Sequence, residues 1–223
     1  MLIGKERDNA PSLSGIFMSA SSFQSADGNS YVVFDLETTG LSPGADEIIQ
    51  IAGVRLRGGV VDRKDSFSTY VNPGIRIPSF ITNYTGIATD DVRSAPRPVE
   101  ALMHFSRFVG SSTMIAHNGH AFDMRFVRAC CEKHNLQTRE VHYFDSMHLS
   151  WRLWGRKRGM GHNLDSVMQR LALTAAGHQR HDARGDVAIL ALAVLEMWRR
   201  ACGDFSLTPV PLYKSVLPIK LDA

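Results

Sequence analysis

The chain is poor in what would tie it to a membrane or an oxidising compartment. Among 223 residues there are three cysteines, Cys130, Cys131 and Cys202, two of them adjacent. Such spacing gives neither a disulfide framework nor a metal motif, and points to a reducing, cytoplasmic setting. No window approaches the run of about 18 apolar residues that spans a bilayer. The first residues, Met1 to Arg7, lack the apolar stretch of a secretory signal. Charge of one sign is scarce as well: the net charge is +3, a mild basic bias that suits a polyanionic partner without requiring one. No internal repeat is visible.

What is present is organised as one domain with two ends of different character. Residues 1–29 are rich in Ser, Gly, Asn and Ala, without a sustained period, and read as a flexible segment outside the fold. Residues 203–223 carry Pro209, Pro211 and Pro218 among scattered apolar residues and read as an irregular C-terminal tail. Between them, 30–202 is long enough to bury a substantial core. Tyr31 to Asp35 predicts a strand. Glu47 to Arg57 and Val60 to Val71 predict a hairpin turning at Gly58-Gly59. Pro98 to Val109 has helical spacing with proline in the first turn. Thr113 to Ala116 is a further strand, Ala121 to His134 a helix, and Val141 to Asp145 a fifth strand followed by a helix through Trp154. Asn163 to Leu171 and Asp182 to Arg200 read as helices, the latter apolar almost all round from Val187 to Trp198 and therefore deeply packed. Three strands followed by alternating helices and strands predict an α/β fold of the ribonuclease H type, a mixed sheet of about five strands with flanking helices.

Chemistry concentrates in three short segments. Phe34-Asp35-Leu36-Glu37-Thr38-Thr39-Gly40-Leu41 closes the first apolar run, Ala116-His117-Asn118-Gly119-His120-Ala121-Phe122-Asp123 follows a predicted strand, and His181-Asp182-Ala183-Arg184-Gly185-Asp186 opens the last helix. On a strand, residues two apart share a face, so Asp35 and Glu37 can reach one site. Two anions buried side by side are costly without a cation. Four carboxylates and an imidazole form the set that holds two divalent ions beside a phosphodiester. Mg2+ and Mn2+ take oxygen ligands, so carboxylates suit them and the cysteines do not.

In this order the three segments resemble the motifs of the DEDDh family, the DnaQ-like 3′–5′ exonucleases that include the proofreading subunit of bacterial replicases. The match runs from about Tyr31 to Cys202. The resemblance implies that Asp35 bridges two Mg2+ or Mn2+ ions, that Glu37 and Asp186 complete the first and that Asp123 serves the second. It implies His181 as the general base for the attacking water, a role suited to an imidazole mostly neutral near pH 7. Thr38 and Leu41 fall where family members touch substrate: the Thr38 backbone near the 3′-hydroxyl and Leu41 as a wedge beside the last base. Asn118, on the loop before Asp123, reads as a residue that bonds the substrate or orders that loop. His117 reads as a packing residue. His120 departs from the small or polar residue expected, and Ser79 to Ile87 resembles a stretch bordering the substrate groove. The implied activity is removal of nucleotides one at a time from DNA 3′ ends, single strands preferred, with release of 5′-mononucleotides. The partners are nucleic acid and, for proofreading members, a DNA polymerase. Two alternatives stand beside it: an exoribonuclease trimming RNA ends, and a non-catalytic module that binds nucleic acid or a polymerase. The cluster Arg152, Arg156, Lys157 and Arg158, interleaved with Trp151 and Trp154, fits either a nucleic-acid contact or a solvated loop.

Overall fold

The computed structural model describes residues 30–156, 159–174, 183–202 and 210–219. A six-stranded mixed sheet runs through them in the order β3-β2-β1-β4-β5-β6. The strands are β1 (Ser30–Thr38), β2 (Ile48–Arg57), β3 (Val60–Tyr70), β4 (Thr113–Ala116), β5 (Thr138–Asp145) and β6 (Tyr213–Pro218). The expected hairpin is β2–β3, and Gly58 and Gly59 both adopt positive φ, 52° and 74°. A two-residue turn demands this, and glycine supplies it without strain. β1 lies antiparallel to β2 but parallel to β4, which is parallel to β5. The C-terminal ends of β1, β4 and β5 therefore share one edge of the sheet, the usual place for a ligand crevice in an open α/β sheet.

Around the sheet, the described residues form α1 (Ser79–Thr85), α2 (Pro98–Val109), α3 (Asp123–Lys133), α4 (Met147–Trp154), α5 (Leu164–Leu171) and α6 (Ala183–Cys202). Strand alternation divides the core into two layers. Val32, Phe34 and Leu36 of β1 pack with Ala101, Leu102 and Phe105 of α2 and Met124, Phe126 and Val127 of α3. Val33, between them, joins Ala52 and Val54 of β2 in a second cluster with Val187, Leu190, Ala191 and Val194 of α6. Trp198 is fully buried at the far end of α6, edge-on to Phe144 at 4.9 Å between centroids. The all-round apolar character of α6 follows, since the helix lies across β1 and β2 and beneath α4 and α5.

The region after Gly203 contains a strand where the sequence suggests an irregular tail. β6 pairs antiparallel with β5 from Thr138↔Pro218 to Tyr143↔Tyr213, and Leu217 is fully buried in the α2/α3 layer. Pro218 sits at its very end, where a missing N–H is tolerated. No helix among the described residues is long and apolar enough to cross a membrane.

Candidate metal centre and active site

Asp35 and Glu37 follow Val33 at intervals of two, so all three share the sheet face covered by α6. Asp35 pairs with Ala52 and Glu37 with Gln50 across β1–β2. Asp186 lies in the first turn of α6, above this pair. One ligand oxygen from each of Asp35, Glu37 and Asp186 lies within 4.8 Å of the others. Asp35 is half-buried and Asp186 buried. Three anions this close in partial burial repel strongly, and a hard divalent cation is the partner that oxygen donors of this kind fit.

Asp123 opens α3 from the other side of the sheet edge, is 2% exposed, and stands outside that group of three. Burial first, then the Asp145 carboxylate, pushes its acid up to about 7, against backbone N–H bonds from its own residue and from Leu36. Leu36 lies between the two acids of β1, so the Asp123 carboxyl reaches the strand that carries them. Its Oδ1 is buried without a hydrogen-bond partner. A buried unpaired oxygen beside an acidic cluster suits a cation as its missing partner. The residues present therefore fit divalent metal ions.

The loops around these acids are held by specific bonds. After β1, Thr39 Oγ1 donates to Asp46 and accepts from the Glu47 N–H, while the Ser42 N–H donates to Asp46. A Cβ on Gly40 would come within 2.5 Å of the Asp46 carboxylate, which explains the glycine. Thr38, buried, donates to the Gly40 carbonyl at 2.5 Å. Leu41, by contrast, is 82% exposed, an apolar side chain held out into solvent. Asn118 takes a left-handed φ of 65°, a conformation asparagine tolerates well, and its own side chain is exposed.

Asp145, at the end of β5, was not among the residues singled out in the sequence, yet it organises this region. Its carboxylate accepts from the N–H groups of Asn118, His120 and Met147 at 2.9, 3.1 and 2.9 Å. It thereby fixes the β4–α3 loop that delivers Asp123. Only its place at a strand end signalled it. His117 is the packing residue expected: one ring nitrogen meets Ser146 Oγ at 2.8 Å and the other the His162 carbonyl at 2.6 Å. Nε2 must carry the proton toward the carbonyl, so Nδ1 accepts from Ser146 in the neutral ring. Burial lowers the His117 pKa. His120, the departure from pattern, is exposed; its ring bonds the Tyr143 hydroxyl and lies 4.6 Å from the Tyr213 ring.

His181 lies outside the described residues, as do Lys157 and Arg158. Of the basic cluster, Arg156 covers the Trp151 ring at 4.0 Å from its centroid; Trp154 instead meets Arg170 of α5, at 5.2 Å. The segment Ser79 to Ile87 contains α1, capped by Gly86 in the left-handed region; Phe80 and Tyr84, four apart on it, are exposed. Cys130 and Cys131 are free and buried, and burial lifts their thiols to about 12 and about 11. They are poor nucleophiles.

Comparison with known proteins places this geometry. Residues 32–194 match the exonuclease family of the ribonuclease T type. The chain is similar to a DNA polymerase III subunit epsilon-like protein of Rhodobacter capsulatus, 38% identical over 170 residues. That match takes in 75% of this chain and 23% of the relative, so the chain spans under a quarter of its length. In fold it is similar to exonuclease X solved with 5′ overhanging duplex DNA, with a TM-score of 0.60, 24% identity and coverage of 77% of this chain and 92% of that one. It is also similar to the nuclease domain of 3′hExo, a DEDDh family member bound to rAMP, with a TM-score of 0.68, 18% identity and coverage of 83% and 98%. With the family match covering well over half its length, the chain belongs to the ribonuclease T/DnaQ-like DEDDh family of 3′–5′ exonucleases.

Proposed function

We propose that the protein is a metal-dependent 3′–5′ exonuclease that removes nucleotides from DNA 3′ ends, preferring single strands and releasing 5′-mononucleotides. The observation that carries this reading is the convergence of Asp35, Glu37 and Asp186 within 4.8 Å. In this reading Asp35, Glu37 and Asp186 hold divalent cations, Mg2+ or Mn2+, and Asp123 offers its unpaired Oδ1 to them. When bound, such cations stabilise the negative charge that builds on a phosphodiester and on its entering and departing oxygens. The chain's own residues do the rest. His181 takes the proton from the attacking water. Thr38 presents its backbone to the terminal 3′-hydroxyl, Leu41 packs against the last base, and Asn118 bonds the strand from the loop fixed by Asp145.

DNA is favoured as substrate by the likeness to a polymerase III epsilon-like protein. RNA is the competing reading, because a fold neighbour was solved with rAMP. End-labelled single-stranded DNA, duplex DNA and RNA of one sequence, each with Mg2+ or Mn2+ and with chelator, separate them. The expected result is stepwise shortening of single-stranded DNA that chelator abolishes. Faster loss of RNA overturns the choice of substrate, and no cation-dependent hydrolysis of any polymer overturns the enzyme. His181→Ala is expected to lower kcat about 10²–10⁴-fold, the worth of a positioned base, with KM little changed.

A further inference from the structure

β2 reads Ile48-Ile49-Gln50-Ile51-Ala52-Gly53-Val54, and every one of these residues is buried. Gln50 is the single amide in that run and is 1% exposed. A polar side chain is kept in such a place only where it meets a partner. Its Oε1 accepts the backbone N–H of Ala183 at 2.8 Å, a buried bond joining residues 133 apart in sequence. Ala183 is the first residue of α6 and is wholly inaccessible. Its N–H is one of those at a helix start that no residue within the helix can satisfy.

The placement gives this bond a consequence beyond packing. Gln50 pairs in register with Glu37, so the two side chains leave the sheet on the same face. Three residues after Ala183, on the same side of α6, stands Asp186, whose carboxylate meets Asp35 and Glu37. We infer that Gln50 is a positioning residue: by pinning the first turn of α6 to β2, it sets the distance between Asp186 and the two acids of β1, and so the affinity of the site for divalent cations. The inference rests on the metal-binding reading of those acids.

One substitution removes the acceptor: Gln50→Met keeps an unbranched side chain of similar length and takes away the amide without adding charge beside the acids. Mn2+ binding is measured by calorimetry on the full chain, and amide exchange of α6 on the metal-free protein. Gln50→Met is expected to weaken Mn2+ binding by about 10–100-fold, the scale for residues that orient metal ligands. It should also speed exchange at the start of α6, while β2 and the middle of α6 keep their protection. Mn2+ affinity unchanged in a folded Gln50→Met overturns the inference, as does loss of protection spread evenly over β2 and the whole of α6. Should Gln50→Met not fold, Gln50→Leu replaces it under the same outcomes. A parent protein that binds no Mn2+ overturns the metal reading instead, and the exchange measurement then still decides whether Gln50 pins the helix.

Discussion

Asp186 and Asp123 show how differently a protein can hold an acid. Asp186 sits among carboxylates, with Asp35 and Glu37 in reach, whereas Asp123 is sealed away with an oxygen unpaired. For Asp186→Asn, turnover should fall by about 10² or more, the scale on which loss of one preorganised electrostatic group acts. Without metal, the variant should melt no lower than the parent, because a repelling charge has gone. Full activity in Asp186→Asn contradicts the assigned role. At this scale strand spacing put Asp35 and Glu37 on one face, while Asp186 was reached only through the resemblance of the three segments, taken in order, to a known family. Neither route reached Asp145 or Gln50. Each acts through a backbone N–H supplied from far along the chain, Asn118 and His120 for one and Ala183 for the other. No local pattern records such a partnership.

Among the elements, α2 to α6 and the β2–β3 hairpin were readable because each carries its own signal: Pro98 at the start of α2, Gly58-Gly59 in the turn, an apolar run in α6. The seven-residue α1 was not, being too short to show a helical period. β6 has no such signal. It is six residues long, follows Pro209 and Pro211, and finds its partner β5 about seventy residues upstream. Its stability comes from that pairing and from burial of Leu217, neither of which is local. Leu217 is fully inaccessible in the layer shared with α2 and α3. Leu217→Ala should therefore cost about 2–5 kcal/mol, read from the denaturant midpoint. It should also leave β5 closer to an open edge, prone to pairing with other chains. A cost within ±0.5 kcal/mol, typical of a surface position, would place β6 outside the cooperative core.

For the whole molecule, pH enters through the histidine that binds its parts together. His117 follows β4, meets Ser146 before α4 and reaches the His162 carbonyl before α5. Its pKa is lowered by burial from 6.5, so between the folded value and 6.5 the unfolded chain binds the extra proton. Stability is then fully present above pH 6.5 and declines as pH falls below it. His148 and His162 are lowered too, whereas Asp123, raised to about 7, favours the folded state as pH falls through the same window. His117→Gln should therefore shift the dependence of melting temperature on pH between 6.5 and 5 towards greater stability at the acid end; an unchanged slope contradicts the assignment. The order of the acids along the chain has a last consequence. Asp35 and Glu37 emerge early in synthesis and Asp186 late, after β4, β5 and the helices that hold it. A nascent polypeptide thus carries half a blade: until α6 leaves the ribosome and docks, it has no complete cutting centre to turn on the nucleic acids around it.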